Sequence, residues 1–310
     1  MTRLFFILAL LFLHSASSWA FDSSATCYIS SDCEGGNYTS APSTSGPIKV
    51  NPAEVPTDRG LGVQAIFYRD TPDFALVTGT GRVGAAISPS NNDDTFFGPP
   101  GFETSADLYQ RKLDGDKYPN QKVTLATAFT LTEKNGSGLG RYALRLGVMG
   151  KYNKDTHDVT PGGGLSGIVG PVTFGYSIYT DETYLENGLS GTGSPETIHY
   201  QVNTYNFGLF LSSVILDYSH LHLESSNSPS DVSLFTAALM WKKFIFTASK
   251  RIEDSDKPYF NYDTKALETK QIKEEYFGGI QYGFTKHIML GVLYNYYLLH
   301  ELSITGTVFF

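Results

Sequence analysis

The feature that most limits what this chain can fold into is an alternation of apolar and polar side chains that recurs in segment after segment. Over residues 301–310, Leu302, Ile304, Gly306, Val308 and Phe310 share one face. Glu301, Ser303, Thr305 and Thr307 share the other, and only Phe309 departs from it. Successive side chains on a strand point to opposite sides, so a period of two describes a strand with one oily and one wet face. Val172, Phe174, Tyr176 and Ile178 likewise oppose Thr173, Gly175, Ser177 and Tyr179. Leu144, Leu146, Val148 and Tyr152 oppose Arg141, Arg145, Gly147 and Lys151. Val123, Leu125, Phe129 and Leu131 oppose Lys122, Thr124, Thr130 and Thr132. The pattern returns at 275–284 and 288–296, and further strands are predicted near 200–211, 213–223, 233–241 and 244–252.

A soluble β-sandwich and a membrane β-barrel both alternate, and three features separate them. The polar faces consist mainly of Thr, Ser, Gly, Asn and Gln, where a sandwich would expose charge; only 17% of the chain is charged. Aromatic residues, 14% of the chain, gather near strand ends (Tyr282, Phe284, Trp241, Phe244, Tyr294, Tyr296), as interfacial girdles do. Connections also alternate in length. Short ones fall at 135–138, 170–171, 212–213, 242–243 and 285–287, and long polar or acidic ones near 89–118, 153–161, 182–198, 224–232 and 254–273. Short turns at one rim and long loops at the other characterise a transmembrane, antiparallel, up-and-down barrel.

Lipid offers no partner to an edge strand, so such a sheet must close, and single-chain bacterial barrels have even strand numbers. The count including 61–69 comes to about thirteen, which parity disallows. Either 61–69 belongs to the N-terminal lead, giving twelve, or another strand lies near 103–113, giving fourteen. The expectation taken here is about twelve strands over 61–310, after an irregular segment at 21–60.

The first twenty residues read as a secretory signal: Arg3, an apolar run from Leu4 to Leu13, and Ser18-Trp19-Ala20 at a cleavage position. That run is too short for a helical span, which needs about 20 residues. Cys27 and Cys33, close together in an exported chain, are expected to form a disulfide. A net charge of −8 argues against a nucleic-acid partner. Localisation is expected in the outer membrane of a Gram-negative bacterium, with outer-membrane lipid and lipopolysaccharide as surroundings.

The terminal Phe310, with Val308, Ile304 and Leu302 at alternate positions before it, resembles the C-terminal signature of Gram-negative outer-membrane barrels. The resemblance implies that Phe310 and Val308 belong to a signal read by the barrel-assembly machinery. Asn51-Pro52-Ala53, after the irregular lead, is similar to an element of the long-chain fatty-acid transporter family. That likeness implies an N-terminal segment in the lumen and transport of hydrophobic molecules.

Chemistry is sparse along the chain. Ser219-His220 adjoins Asp217, but neighbours on a strand alternate faces, and no Gly-x-Ser-x-Gly elbow is present. His220 and His222 share a face without an identifiable third metal ligand. No enzyme activity, metal or cofactor is therefore expected. Inward parity falls on Arg82, Lys122, Arg141, Arg145, Lys151 and Arg251, and on Asp181, Asp217, Glu275 and Glu301. These charges are either a pore lining that selects solute or salt bridges filling a narrow barrel. The function expected is a channel or passive transporter for small solutes, including hydrophobic compounds. The alternatives are a non-transporting structural or surface-interaction barrel and, third, an enzyme at the lumen or rim.

Overall fold

A computed structural model describes residues 50–57, 59–67, 72–90, 121–134, 141–185, 196–211, 213–225, 230–254, 258–261, 266–269, 272–285, 288–295 and 301–310. The signal segment, both cysteines and the region near 103–113 lie outside these residues.

Alternation is realised as long antiparallel strands. In chain order they are β1 (Gly60–Phe67), β2 (Pro72–Gly79), β3 (Val83–Ser90), β4 (Lys122–Lys134), β5 (Tyr142–Asn153), β6 (Val159–Val169), β7 (Val172–Leu185) and β8 (Glu196–Leu211). Then follow β9 (Val214–Ser225), β10 (Ser230–Trp241), β11 (Phe244–Asp254), β12 (Pro258–Asn261), β13 (Ala266–Thr269), β14 (Ile272–Thr285), β15 (Ile288–Asn295) and β16 (Glu301–Phe309). β12 and β13 pair as a separate hairpin, and the other fourteen strands among the described residues form one closed barrel in which chain neighbours are sheet neighbours. β1 closes the ring against β16, with Val63 opposite Val308 and Phe67 opposite Ile304.

The barrel therefore has fourteen strands, not about twelve. The segment at 61–69 contributes β1 to the wall, and three consecutive strands lie between 60 and 90. The period-two signal fades there for a physical reason. Outward Phe74, Leu76 and Ile87 are matched by inward Ala75, Val77 and Ala86, which are apolar and buried. Val55 and Val50, from the segment preceding β1, belong to the same buried cluster. A wall that is covered by apolar groups on both faces loses its alternation.

On most other strands the two faces separate as the sequence predicts, but the long connections expected at 153–161 and 224–232 are short: β6, whose glycines hide its alternation, begins at Val159, and β10 begins at Ser230. Leu125, Val148, Phe207, Ile280 and Ile304 are exposed on the outside at 50% or more. Thr124, Ser177, Thr204, Thr247 and Thr307 are buried on the inside. Aromatic rings cluster near the short-turn rim on the outer face, where Phe244 lies 4.8 Å from Tyr282 and 6.4 Å from Trp241. The short turns are tight: Gly170 adopts φ 59° between β6 and β7, and Lys242 adopts φ 56° between β10 and β11.

Candidate functional site

Inside the barrel sits the short segment 50–57, wholly buried. Pro52–Glu54 forms a single 3-10 turn with Asn51 at its N-cap. The Ala53 amide donates to Asn51 Oδ1 at 3.1 Å, and the Glu54 amide to the Asn51 carbonyl at 3.0 Å. Asn caps and Pro in the first turn suit such a start, because Pro surrenders an amide that would lack a partner anyway.

An irregular backbone inside a barrel needs partners for its polar groups, and the inner wall supplies them. Asn51 Nδ2 donates to the Leu165 carbonyl of β6 at 3.3 Å. Ser166 donates to the Ala53 carbonyl at 3.2 Å, and Ser177 of β7 to the Val50 carbonyl at 2.7 Å. Thr57 meets Thr130 of β4 hydroxyl to hydroxyl at 2.9 Å, and the Gly81 amide donates to the Thr57 carbonyl at 2.7 Å.

The fit depends on glycines at inward positions. A Cβ at Gly147 would overlap the Ala53 nitrogen and the Pro52 carbonyl group. One at Gly84 would overlap the Pro56 carbonyl, and one at Gly164 the Asn51 Oδ1. Gly147 and Gly164 face each other across β5 and β6. Together these three positions form a socket in which the segment lies directly on the backbone of β3, β5 and β6. The triple glycine at 162–164 is readable in sequence as a place of close backbone approach, but what approaches it is not.

Toward the long-loop rim lies a buried ion cluster. Asp181 of β7 accepts from Lys122 Nζ of β4 at 2.6 Å and from Lys151 Nζ of β5 at 2.9 Å, with all three side chains at most 1% exposed. The Lys151 ammonium also stands 4.5 Å from the centre of the Tyr179 ring. Asp181 further accepts from the Glu182 amide at 2.8 Å. Thus Lys122, Lys151 and Asp181, all predicted from parity to point inward, are brought together.

The other charges are scattered. Arg145 is buried on the inner wall opposite Ser166, close to the seated segment. Asp217 is buried on β9 and accepts from Ser219 at 3.1 Å. Arg251 is buried on β11, between Leu234 of β10 and the backbone position of Glu275 on β14. Glu301 opens β16 opposite Asn295. Arg82 is exposed in the β2–β3 turn, and Arg141 is half-buried just before β5, so both stand at the short-turn rim. Strand parity does not carry past a strand's end, because the turn residues leave the pleat.

Two features of the lumen are not legible in the sequence. Val202, Leu221, Leu223, Val232 and Leu234 put an apolar surface on the inner wall of β8–β10, and all are nearly fully buried. Among the polar residues on that wall, Thr204 Oγ1 and both side-chain polar atoms of Asn206 have no hydrogen-bond partner. The histidine pair lies on the opposite, outer face: His222 Nδ1 is 2.7 Å from Asp231 and His220 Nδ1 is 3.1 Å from Ser233. Ser219 and Asp217 therefore point into the barrel and His220 away from it. No group of three or more metal-ligating side chains occurs among the described residues.

No family model and no curated protein matches the sequence. Solved structures do resemble the chain. The monoaromatic hydrocarbon channel CymD aligns with TM-score 0.46 and 10% identity over 86% of this chain and 93% of its own. A loop-deletion mutant of OmpT, an outer-membrane protein of Vibrio cholerae, aligns with TM-score 0.40 and 8% identity over 81% and 97%. The NanC porin aligns with TM-score 0.38 and 12% identity over 81% of this chain and 99% of its own.

Proposed function

We propose that this protein is an outer-membrane channel that passes small, largely apolar solutes, with residues 50–57 acting as a constriction inside its lumen. The observation that carries the reading is the inner wall of β8–β10, where Val202, Leu221, Leu223, Val232 and Leu234 face inward; the first four share a buried cluster with Val50, so solute reaches them only when residues 50–57 shift. An apolar lining is poorly wetted and costs hydration to any charged solute, so it suits an apolar one. The apolar outer wall supports membrane residence, since so large an exposed apolar surface would drive a soluble protein to aggregate. Export through the signal at 1–20 and a Cys27–Cys33 disulfide belong to the same proposal.

Conductance in planar bilayers tests it. Native protein should give small or no current steps, and protein lacking residues 21–57 should give larger, stable ones. If both stay closed, the channel reading fails.

A second reading, a non-transporting structural barrel, draws support from the Lys122–Asp181–Lys151 cluster. Its complete burial supports a lumen partly filled by the protein's own side chains.

A further inference from the structure

Buried amide groups almost always find partners, because their desolvation is otherwise uncompensated. Asn206 is an exception. Its side chain points inward from β8 and is 5% exposed, yet neither Nδ2 nor Oδ1 is hydrogen-bonded. Thr204, two residues along the same inward row and 1% exposed, has an unpartnered hydroxyl. The Asn206 oxygen lies over Gly175, and the Asn51 amide of the seated segment approaches the same glycine. The unpartnered amide therefore stands beside the constriction itself.

Its neighbours define what would fit. Ser219 stands opposite Asn206 and Leu221 opposite Thr204, with Leu234 opposite Ser219 in turn. Val202 lies two residues further along β8 and shares a buried apolar cluster with Leu221 and Val50. Two unused polar positions thus border an apolar cluster that includes Val50, and a solute reaches them when residues 50–57 shift away. An amide offers one donor and one acceptor side by side, which a single hydroxyl can satisfy at once by accepting from Nδ2 and donating to Oδ1. A charged ligand would lose its hydration at this buried point, so an uncharged one is favoured.

We infer that Asn206 and Thr204 form a solute-binding subsite for an uncharged, hydroxyl-bearing organic molecule, held by its hydroxyl at Asn206 with its apolar body against Val202 and Leu221. This rests on the channel reading and adds the polar contact that would sort solutes within it.

Benzyl alcohol and toluene share one apolar body and differ by the hydroxyl, so they serve as paired probes. Full-length protein with 15N-labelled asparagine is placed in lipid nanodiscs, and the side-chain amide signals of Asn206 are assigned by their loss in Asn206→Ala. Benzyl alcohol should shift those signals saturably, at a concentration about tenfold lower than any response to toluene, as one added hydrogen bond allows. In Asn206→Leu, the 15N-glycine signal of Gly175 should respond to both probes alike. Equal responses of native Asn206 to the two probes, or none while the Gly175 signal shifts, would overturn the subsite and leave the channel standing. No response to either probe anywhere on the inner wall, with residues 21–57 present or deleted, would defeat the channel as well.

Discussion

A side chain at Gly147 would occupy the space of the Ala53 nitrogen and the Pro52 carbonyl group, so this single position controls whether the segment can sit. Gly147→Val should leave the barrel assembled but expel residues 50–57, with overpacking worth roughly 1–3 kcal/mol against the seated state. A cysteine placed at Ala53 reports the change: maleimide should label it slowly in the native background and several-fold faster when Gly147→Val is also present. Asp181 makes a different kind of demand. Asp181→Asn removes the charge that two buried ammonium groups share and should cost about 3–5 kcal/mol, because the lysines then repel with no carboxylate between them. Lys122→Met leaves one lysine facing one carboxylate and should cost clearly less. The temperature at which the folded band is lost on semi-native gels ranks the two variants, and equal loss would mean that the shared charge is unimportant.

At the scale of elements, closure depends on the last strand. The Leu61 amide donates to the Phe310 carbonyl at 3.2 Å and the Phe310 amide to the Leu61 carbonyl at 2.9 Å, joining the C-terminus to the start of β1. The Phe310 ring is 75% exposed on the outer face, in line with Leu302 and Ile304. Deleting Phe310 removes both hydrogen bonds and the ring, whereas Phe309→Ala leaves the backbone pairing intact. Deletion should lower the heat-modifiable fraction several-fold and Phe309→Ala only slightly; comparable effects would show that the terminal residue has no special part in assembly. The strands legible in sequence are those with one face on lipid and one on polar side chains, β5, β7 and β16 among them. β2 and β3 are less legible because inward Ala75, Val77 and Ala86 belong to a buried apolar cluster that includes Val55. That packing partner comes from outside the strands and cannot be inferred from their own pattern.

For the whole molecule, the two-sided character of the wall leads to a test of location. The protein should fractionate with the outer membrane and migrate faster unheated than heated on gels, since a closed barrel resists detergent unfolding. Recovery as a soluble periplasmic protein would contradict the membrane reading outright. By itself the sequence determined that the chain makes amphipathic strands, and which face of most of them turns outward. Local backbone geometry and side-chain chemistry decide those properties, so they are written in neighbouring residues. The strand number, the inward apolar wall of β8–β10, the convergence of Lys122, Lys151 and Asp181, and the glycine socket under Asn51–Ala53 were decided by tertiary structure alone. Each depends on which inward positions of different strands meet across the lumen, and closure and register fix those meetings only once the whole sheet has formed.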